Sequence, residues 1–124
     1  MSSILQLVAT RPVKKYSAGD IVMEQGARTG RMLVLIEGEV EILRDNVQVA
    51  KAAAPGGVFG EMSILMDCPH TATVRALRPS SFAVIDKPLE FLLATPAASL
   101  HVATLLAQRL DSLSQFVSVV KRQY

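Results

Sequence analysis

The segment FGEMSILMDCPHTATVRA, residues 59–76, holds the side chains whose types and spacing could do chemistry. Gly60 lets the backbone approach another group closely, and residues 61–65 can form a short helical turn whose free amides face an anion. Glu61 accepts hydrogen bonds and has no proton to give, so it suits a hydroxyl and repels a phosphate. The segment therefore predicts half of an anion-binding site. A purely structural interpretation, a glycine-rich turn capped by Glu61, is the alternative.

Metal and nucleophilic chemistry fit the sequence poorly. A cupin-type metal enzyme needs a cluster of histidines and carboxylates, whereas this chain has two histidines, His70 and His101, on different predicted elements. Cys68 stands beside a proline without a recognisable activating base, and no Ser-His-Asp arrangement with identifiable partners is evident. We therefore expect no enzyme activity, no metal and no resident cofactor.

Short strands must position this segment. Runs of β-favouring residues alternate with turn signals over about residues 10–86, which predicts a β-sandwich or barrel. The clearest runs are residues 32–36, 40–43, 71–74 and 82–85. The turn signals are Gly19-Asp20, Gly26, Gly30, Gly38, Asp45-Asn46, Pro55-Gly56-Gly57, Cys68-Pro69 and Arg78-Pro79-Ser80.

From residue 88 onward the sequence is rich in alanine, leucine and glutamine and contains no glycine, which predicts helices. Pro88 can open a short helix over residues 87–93, and Thr95-Pro96 is typical of the cap and first residue of a longer helix that ends near residue 122. The long helix carries two apolar stripes. The first comprises Ala103, Leu106, Leu110, Leu113, Val117 and Val120, and the second comprises Val102, Leu105, Phe116 and Val119, broken by Arg109 and Ser112.

The two stripes allow two arrangements of the long helix. In one, both stripes pack on the β domain. In the other arrangement, one of the two stripes packs there and the remaining one packs on a partner helix, which gives a homodimer through residues 96–122. Because fewer than three heptads are marginal alone, a coiled coil here would need support from the domains.

The overall composition predicts one domain spanning residues 1–124. A formal net charge of +2 gives no electrostatic case for DNA or an anionic membrane as the main partner. The lone Cys68 indicates a reducing compartment. The start of the chain lacks the basic region of a signal peptide, and the weakly polar stretch 91–107 is interrupted by Pro96, Ser99 and His101. We therefore expect a cytoplasmic protein.

Five stretches together resemble the cyclic nucleotide-binding domain family, in particular sensor domains of the catabolite activator protein type. They are Gly19-Asp20, Glu24-Gln25-Gly26, residues 33–40, residues 55–61 and residues 71–74. The resemblance runs from about residue 16 to 109. It implies a mainly β fold with C-terminal helices: a jelly-roll-like β-roll of about eight strands, a short helix and a long helix. In bacterial transcription factors of the family a helix-turn-helix domain follows, whereas this sequence stops at Tyr124, so we expect a stand-alone sensor module or partner protein.

The resemblance also implies a ligand and its contacts. A cyclic nucleotide, here cAMP or cGMP, offers a charged phosphate, a ribose hydroxyl and a purine, which need donors, an acceptor and an apolar surface. The family gives the position of Glu61 the ribose role, and gives those of Thr71 and the Ala72 amide the phosphate contacts. The predicted ligand-binding residues are Phe59, Gly60, Glu61, Met62, Ser63, His70, Thr71, Ala72 and Thr73. Ala103, Thr104, Ala107 and Gln108 on the long helix are candidates to cap the base.

His70 departs from the family pattern, because relatives that bind cyclic nucleotides usually carry an arginine there, which clamps the phosphate. A neutral imidazole lacks that charge, and the loss costs about 2–4 kcal/mol of binding free energy. If His70 still holds the phosphate, binding should tighten toward acid pH, where the imidazole is protonated. Arg75 is the obvious substitute charge, although a surface or interface position suits it better.

Three functions follow from these observations. The first is a non-enzymatic regulatory module that senses cAMP or cGMP and signals through its C-terminal helix. The second is a degenerate member that binds no cyclic nucleotide and acts as a dimeric protein-interaction domain. The third is a pocket for another small anion.

Overall fold

The computed structural model describes residues 3–122. Eight strands form two four-stranded antiparallel sheets, and four helices accompany them, so the predicted mainly β fold with C-terminal helices is confirmed. The elements are α1 (Ile4–Leu7), β1 (Val13–Tyr16), β2 (Ile21–Met23), β3 (Met32–Glu37), β4 (Val40–Arg44), β5 (Val47–Ala52), β6 (Val58–Phe59), α2 (Glu61–Leu65), β7 (Thr73–Ala76), β8 (Ser80–Ile85), α3 (Pro88–Ala94) and α4 (Pro96–Arg122).

The first sheet has the strand order β1-β8-β3-β6, and the second has the order β2-β7-β4-β5. Asp45 and Asn46 join β4 to β5 with φ angles of 53° and 64°. Two successive residues in the left-handed region produce the tight hairpin turn whose twist matches the flanking strands. The turn signal at Asp45-Asn46 is therefore confirmed, and it makes β5 the edge of the second sheet.

The first sheet lies between two apolar layers. Leu33 and Leu35 of β3 pack with Phe82 of β8 against the second sheet. The alternate residues of these strands pack instead against the helices; they include Met32, Val34, Ala83 and Ile85. A strand that is buried on both faces needs apolar residues at successive positions, which explains the uninterrupted runs at 32–36 and 82–85.

The N-terminal helix α1 is an element that the sequence analysis did not predict. Ser3 and Gln6 form a capping box at its start, and Ile4 is buried with Phe91 of α3 and Val102 of α4. His101 lies 2.8 Å from the Gly56 carbonyl oxygen through its Nε2 atom. Together these contacts fix the first turns of α4 against the turn that precedes β6.

The long helix α4 begins at Pro96 and ends at Arg122, as predicted. Ala98 and Val102 are buried, but Leu110 is 67% exposed and Phe116 is 65% exposed. The arrangement with both stripes packed on the β domain is therefore wrong for the second half of the helix, which extends past the β-roll. Within residues 3–122 no single helix is long and apolar enough to cross a membrane; α3 and α4 reach that length and composition only as a pair, bent by 109°.

One predicted strand starts later than expected. The run at 71–74 predicted a strand, but β7 begins at Thr73, opposite Leu43 of β4. Just before it, the His70 amide donates to the Ala27 carbonyl at 2.9 Å, and the His70 carbonyl accepts from the Gly26 amide at 2.8 Å. This pairing with a loop holds the backbone at residue 70, so Thr71 and Ala72 form the bend that leads into the strand.

Candidate ligand-binding site

A cavity of about 1020 Å³ lies among the second sheet, α4 and residues 59–73, which we call the cassette. Its volume is at the upper end of the range of about 300–1,000 Å³ that small-molecule sites occupy. The cassette residues that line it are Phe59, Gly60, Glu61, Met62, Ser63, His70, Thr71 and Ala72. The structure thus brings eight of the nine predicted residues to one cavity.

Gly60 positions the carboxylate of the cassette. It has a φ of +91°, and a Cβ built on it would lie 2.7 Å from the Arg31 carbonyl oxygen. Only glycine tolerates both the left-handed backbone and the close approach, so residue 60 turns the chain sharply from β6 into α2. As a result Glu61 becomes the first residue of α2, and it is only 3% exposed.

The buried Glu61 is paired with an arginine from α4. Arg109 Nη1 donates to Glu61 Oε1 at 2.5 Å, and Arg109 Nη2 donates to the Val58 carbonyl at 3.1 Å. Burying a carboxylate is costly unless it is paired, and this ion pair supplies the partner. It also joins the cassette to the helix that covers it.

Sequence reasoning missed the role of Arg109. The signal was present, because Arg109 and Ser112 interrupt the apolar stripe that contains Leu105 and Phe116. Both polar residues line the cavity together with these two apolar ones. A polar break in an apolar stripe therefore marked the part of α4 that faces the cavity.

His70 is buried and committed to a neighbour. It is 3% exposed, and its Nε2 lies 2.8 Å from the hydroxyl of Thr29. Burial lowers the pKa of His70 below its usual value, since the interior disfavours the charged form. His70 is therefore neutral at pH 7, and this lining residue brings no charge to the cavity.

Thr71 and Ala72 line the cavity, but Thr73 does not. The Thr73 hydroxyl accepts a hydrogen bond of 3.0 Å from the backbone amide of Gln25. Its side chain thus fastens the segment after β2 to the start of β7, and the predicted ligand contact of Thr73 has no support from its position.

The remaining cassette residues have packing roles as well. Phe59 stacks edge to face on Phe82, with ring centroids 5.9 Å apart. The Ser63 hydroxyl donates to the Cys68 carbonyl at 2.7 Å, which closes the loop after α2. Met62 is exposed beside them, and Phe59 and Met62 are the cassette's contribution to the apolar lining of the cavity.

Of the four base-capping candidates on α4, Gln108 lines the cavity, whereas Ala103, Thr104 and Ala107 do not. The Thr104 hydroxyl donates back to the Leu100 carbonyl of its own helix. The α4 residues that do face the cavity are Leu105, Gln108, Arg109, Ser112, Leu113 and Phe116. The helix face toward the cavity is thus rotated from the predicted one.

Arg75, the predicted substitute charge, does not line the cavity. Its Nε and Nη2 atoms both donate to Glu41 Oε2, at 3.0 and 2.8 Å. The hydrogen bonds from Arg75 and then Gln48 hold the pKa of Glu41 below its usual value. Arg75 therefore stabilises a buried carboxylate within the second sheet, and its side chain, 44% exposed, occupies the surface position that the sequence analysis favoured.

The cavity is electropositive. Three cationic side chains line it, Arg44, Lys51 and Arg109, against the single carboxylate of Glu61. The formal charges of these four side chains sum to +2, so the formal net charge of +2 of the whole chain is matched by the lining of this cavity alone. Such a surface attracts an anionic ligand. Among the described residues, no group of three or more His, Cys, Asp or Glu side chains could hold a metal ion.

Comparison with known proteins gives the family. The family model described as "Cyclic nucleotide-binding domain" matches residues 13–91, which is more than half of the sequence. The chain therefore belongs to the cyclic nucleotide-binding domain family. Domains of this family are generally regulatory rather than catalytic.

Two relatives carry domains similar to this chain. The cGMP-dependent protein kinase egl-4 of Caenorhabditis elegans is 34% identical over 84 residues, which cover 68% of this chain and 11% of the kinase. The cAMP-dependent protein kinase regulatory subunit of Schizosaccharomyces pombe is 32% identical over 73 residues, 59% of this chain and 18% of that protein. The chain thus spans less than a fifth of either relative.

A solved structure agrees with the fold. The catabolite activator protein of Thermus thermophilus superposes with a TM-score of 0.77 over 95% of this chain and 58% of that one. The sequence identity is 21%, so the likeness concerns the fold alone. The β-roll followed by helices, implied by the resemblance in the sequence, is confirmed.

Proposed function

We propose that this chain is a non-enzymatic regulatory module that binds cAMP or cGMP and signals through α4. The observation that carries the proposal is a single cavity lined by Gly60, Glu61, Thr71 and Ala72 of the cassette and by one face of α4. Family membership supports the ligand class, since the relatives above include cGMP- and cAMP-dependent kinase proteins.

The three parts of a cyclic nucleotide each find a suitable partner in this cavity. Glu61 offers carboxylate oxygens to a ribose hydroxyl, and the Thr71 hydroxyl and the Ala72 amide can donate to the phosphate. The purine requires an apolar surface, which Leu113 and Phe116 of α4 supply. Both α4 side chains are more than half exposed, so a base packed on them would bury apolar area.

Signalling in this proposal is a shift in the population of α4 positions. The ion pair between Arg109 and Glu61 already holds α4 against the cassette. A ligand that contacts the cassette and α4 together stabilises one position of the helix by the difference between its affinities for the two states. The protein partner that reads this change would contact the exposed second half of α4.

A second candidate function is a degenerate member that binds no cyclic nucleotide and acts as a dimeric interaction domain. Its support is the exposed first stripe of α4, where Leu110 is 67% and Val117 is 43% exposed. The neutral, hydrogen-bonded His70 is consistent with this function too, because the usual charged phosphate contact is missing. The homodimer through residues 96–122 belongs to both candidates.

Calorimetric titration with cAMP and cGMP separates the two candidates. We expect wild-type binding that Glu61→Ala weakens by about tenfold or more, the size of a hydrogen bond to a charged group. Glu90→Ala, an exposed carboxylate in the first turn of α3, is the matched control and should bind like the wild type.

The same titration with His70→Arg completes the test. If the wild type binds neither nucleotide and His70→Arg binds one, the chain has kept the pocket but lost its charge, which is the second candidate. Absence of binding by both proteins would overturn the nucleotide proposal and leave the dimerisation helix as the functional element.

A further inference from the structure

The cavity raises the question of which residue faces the charge of an anionic ligand. The ring of His70 is buried and is hydrogen-bonded to the hydroxyl of Thr29. Arg75 is bound to Glu41 and lies outside the cavity. The cationic side chains that line the cavity and could face the phosphate charge of a nucleotide are Arg44, Lys51 and Arg109.

Among the described residues, Arg109 is the one of these three cations that donates a hydrogen bond to the cassette. It reaches Glu61 and the Val58 carbonyl, as given above. Arg44 lies at the far end of β4 beside the hairpin turn, and Lys51 is an exposed residue of the edge strand β5. Arg109 is thus the cation placed beside the acceptor for the ribose.

We propose that Arg109 of α4 supplies the positive charge that holds the anionic group of the ligand, in the role that residue 70 does not fill. The assignment rests on the proposed function for the nucleotide, and it makes Arg109 a specificity-determining residue for charged over uncharged ligands.

The chemistry of the ion pair permits this double role. A guanidinium has five N–H donors in a planar fork, and Arg109 directs two of them at Glu61 and Val58. Its side chain is 46% exposed, so the remaining donors are open to a phosphate in a charge-assisted pair. The Glu61 carboxylate has about four acceptor positions, which lets it bind Arg109 and a ribose hydroxyl together.

The assignment has a consequence for regulation. Because the cation belongs to α4 and the ribose acceptor belongs to the cassette, a charged nucleotide bridges the two elements. An uncharged nucleoside would reach α4 only through its base, on Leu113 and Phe116. The phosphate then adds the contact with Arg109 that tightens α4 onto the β-roll.

The test compares cAMP with adenosine, which lacks the phosphate, on Arg109→Gln. We expect this variant to lose cAMP affinity by about tenfold or more, the size of a charged hydrogen bond, while its adenosine affinity stays that of the wild type. Arg122→Gln removes the same charge from the exposed last turn of α4 and should bind both compounds like the wild type. In a His70→Arg background, Arg109→Gln should cost less, since a second guanidinium shares the role.

Two results would overturn the assignment. Equal loss of cAMP and adenosine affinity in Arg109→Gln would mean that Arg109 only holds α4 in place. A gain of cAMP affinity would mean that Arg109 blocks the site.

Inorganic pyrophosphate gives an arm that does not depend on nucleotide binding. Pyrophosphate should shift the Arg109 Nε–H signal in nitrogen-15 NMR spectra of the wild type. It should also shift the NMR signal of Glu61 in the wild type and in Arg122→Gln, but not in Arg109→Gln. If cAMP and cGMP bind to neither the wild type nor His70→Arg, the proposed function fails. Pyrophosphate binding that requires Arg109 would then still support the anion assignment, and its absence would overturn that assignment as well.

Discussion

His70 Nε2 lies 2.8 Å from the hydroxyl of Thr29, and this hydrogen bond joins the cassette to the segment between β2 and β3. The backbone of His70 is paired with the same segment at Gly26 and Ala27. The residue at which the family places a phosphate clamp is therefore a structural connection in this chain. Its protonation should affect folding more than ligand binding.

We predict that stability decreases when the pH falls below about 6.5, the usual pKa of histidine. Burial lowers the pKa of His70 in the folded state, so the unfolded chain binds the proton more tightly. The stabilisation is complete above pH 6.5 and is lost as the pH falls toward the folded pKa, at up to ~1.4 kcal/mol per pH unit.

Urea unfolding between pH 7.5 and 5.5 measures this dependence. His70→Gln should remove the decline over that range, whereas His101→Gln, which keeps His70, should retain it. A decline of equal slope in His70→Gln and the wild type would show that another group is responsible.

Ligand affinity should respond to pH in a different way. If His70 held the phosphate, cAMP binding would tighten between pH 8 and pH 6, as its imidazole gained a proton. With Arg109 as the partner, the affinity should stay flat over this range, because a guanidinium keeps its charge. Calorimetry with cAMP at the two pH values distinguishes Arg109 from His70 as the phosphate partner. If binding tightens at pH 6 in the wild type but not in His70→Gln, His70 holds the phosphate.

Replacement of Gly60 should damage both the fold and the site. Gly60→Ala meets the left-handed backbone and the Arg31 carbonyl together, so we expect a loss of about 1–3 kcal/mol of unfolding free energy. Gly19→Ala is the matched control, since Gly19 has a φ of +90° and no atom within 4 Å of an added Cβ. Gly60→Ala should therefore lose more stability in urea unfolding than Gly19→Ala, and equal losses would contradict a role for the close approach to Arg31.

Association through α4 is the next prediction. Leu110 and Leu100 are equally exposed, at 67% and 68%, but they lie about 80° apart around the helix. Leu110 belongs to the first apolar stripe, to which we assign the dimer contact because it is exposed, and Leu100 does not. Leu110→Lys should therefore shift the protein toward monomer in sedimentation analysis, and Leu100→Lys should not. A monomeric wild type, or equal effects of the two substitutions, would exclude the proposed homodimer through this stripe.

The sequence predicted those parts of the fold that depend on local chemistry. The Asp45-Asn46 turn, the β3 and β8 strands and the start of α4 at Pro96 follow from neighbouring residues, and all are confirmed. Most of the cassette residues that line the cavity were predicted for the same reason, because glycine, carboxylate and threonine occur there within a short segment. These features need no knowledge of distant contacts.

The differences between the predicted and the observed lining of the cavity come from contacts between distant residues. Arg109 and Glu61 are 48 positions apart, and the rotation of α4 that joins them depends on the packing of Ala98 and Val102 on the β-roll. Thr73 has a hydroxyl that could contact a ligand, but this hydroxyl accepts a hydrogen bond from the backbone amide of Gln25, also 48 positions away. Spacing along the chain does not contain such information.

The last prediction contrasts the two arginines that hold buried carboxylates. Arg75→Gln leaves Glu41, which is 6% exposed, without its cationic partner, so the melting temperature should decrease. Because Arg75 does not line the cavity, the cAMP affinity of this variant should stay within about twofold of the wild type, as for charges remote from a site. The pKa of Glu41 is lowered in the folded state. The stabilisation by the Glu41–Arg75 pair is therefore present above about pH 4.5 and is lost as the pH falls through the folded pKa.

Thermal unfolding at pH 7 and pH 4, combined with calorimetry, measures both effects in Arg75→Gln. The variant should be destabilised most at pH 7 and should differ less from the wild type at pH 4, because below the usual pKa of 4.5 the unfolded chain of both proteins takes up a proton at Glu41. A large loss of cAMP affinity in Arg75→Gln, matching that of Arg109→Gln, would assign the ligand's charge to the second sheet instead of α4.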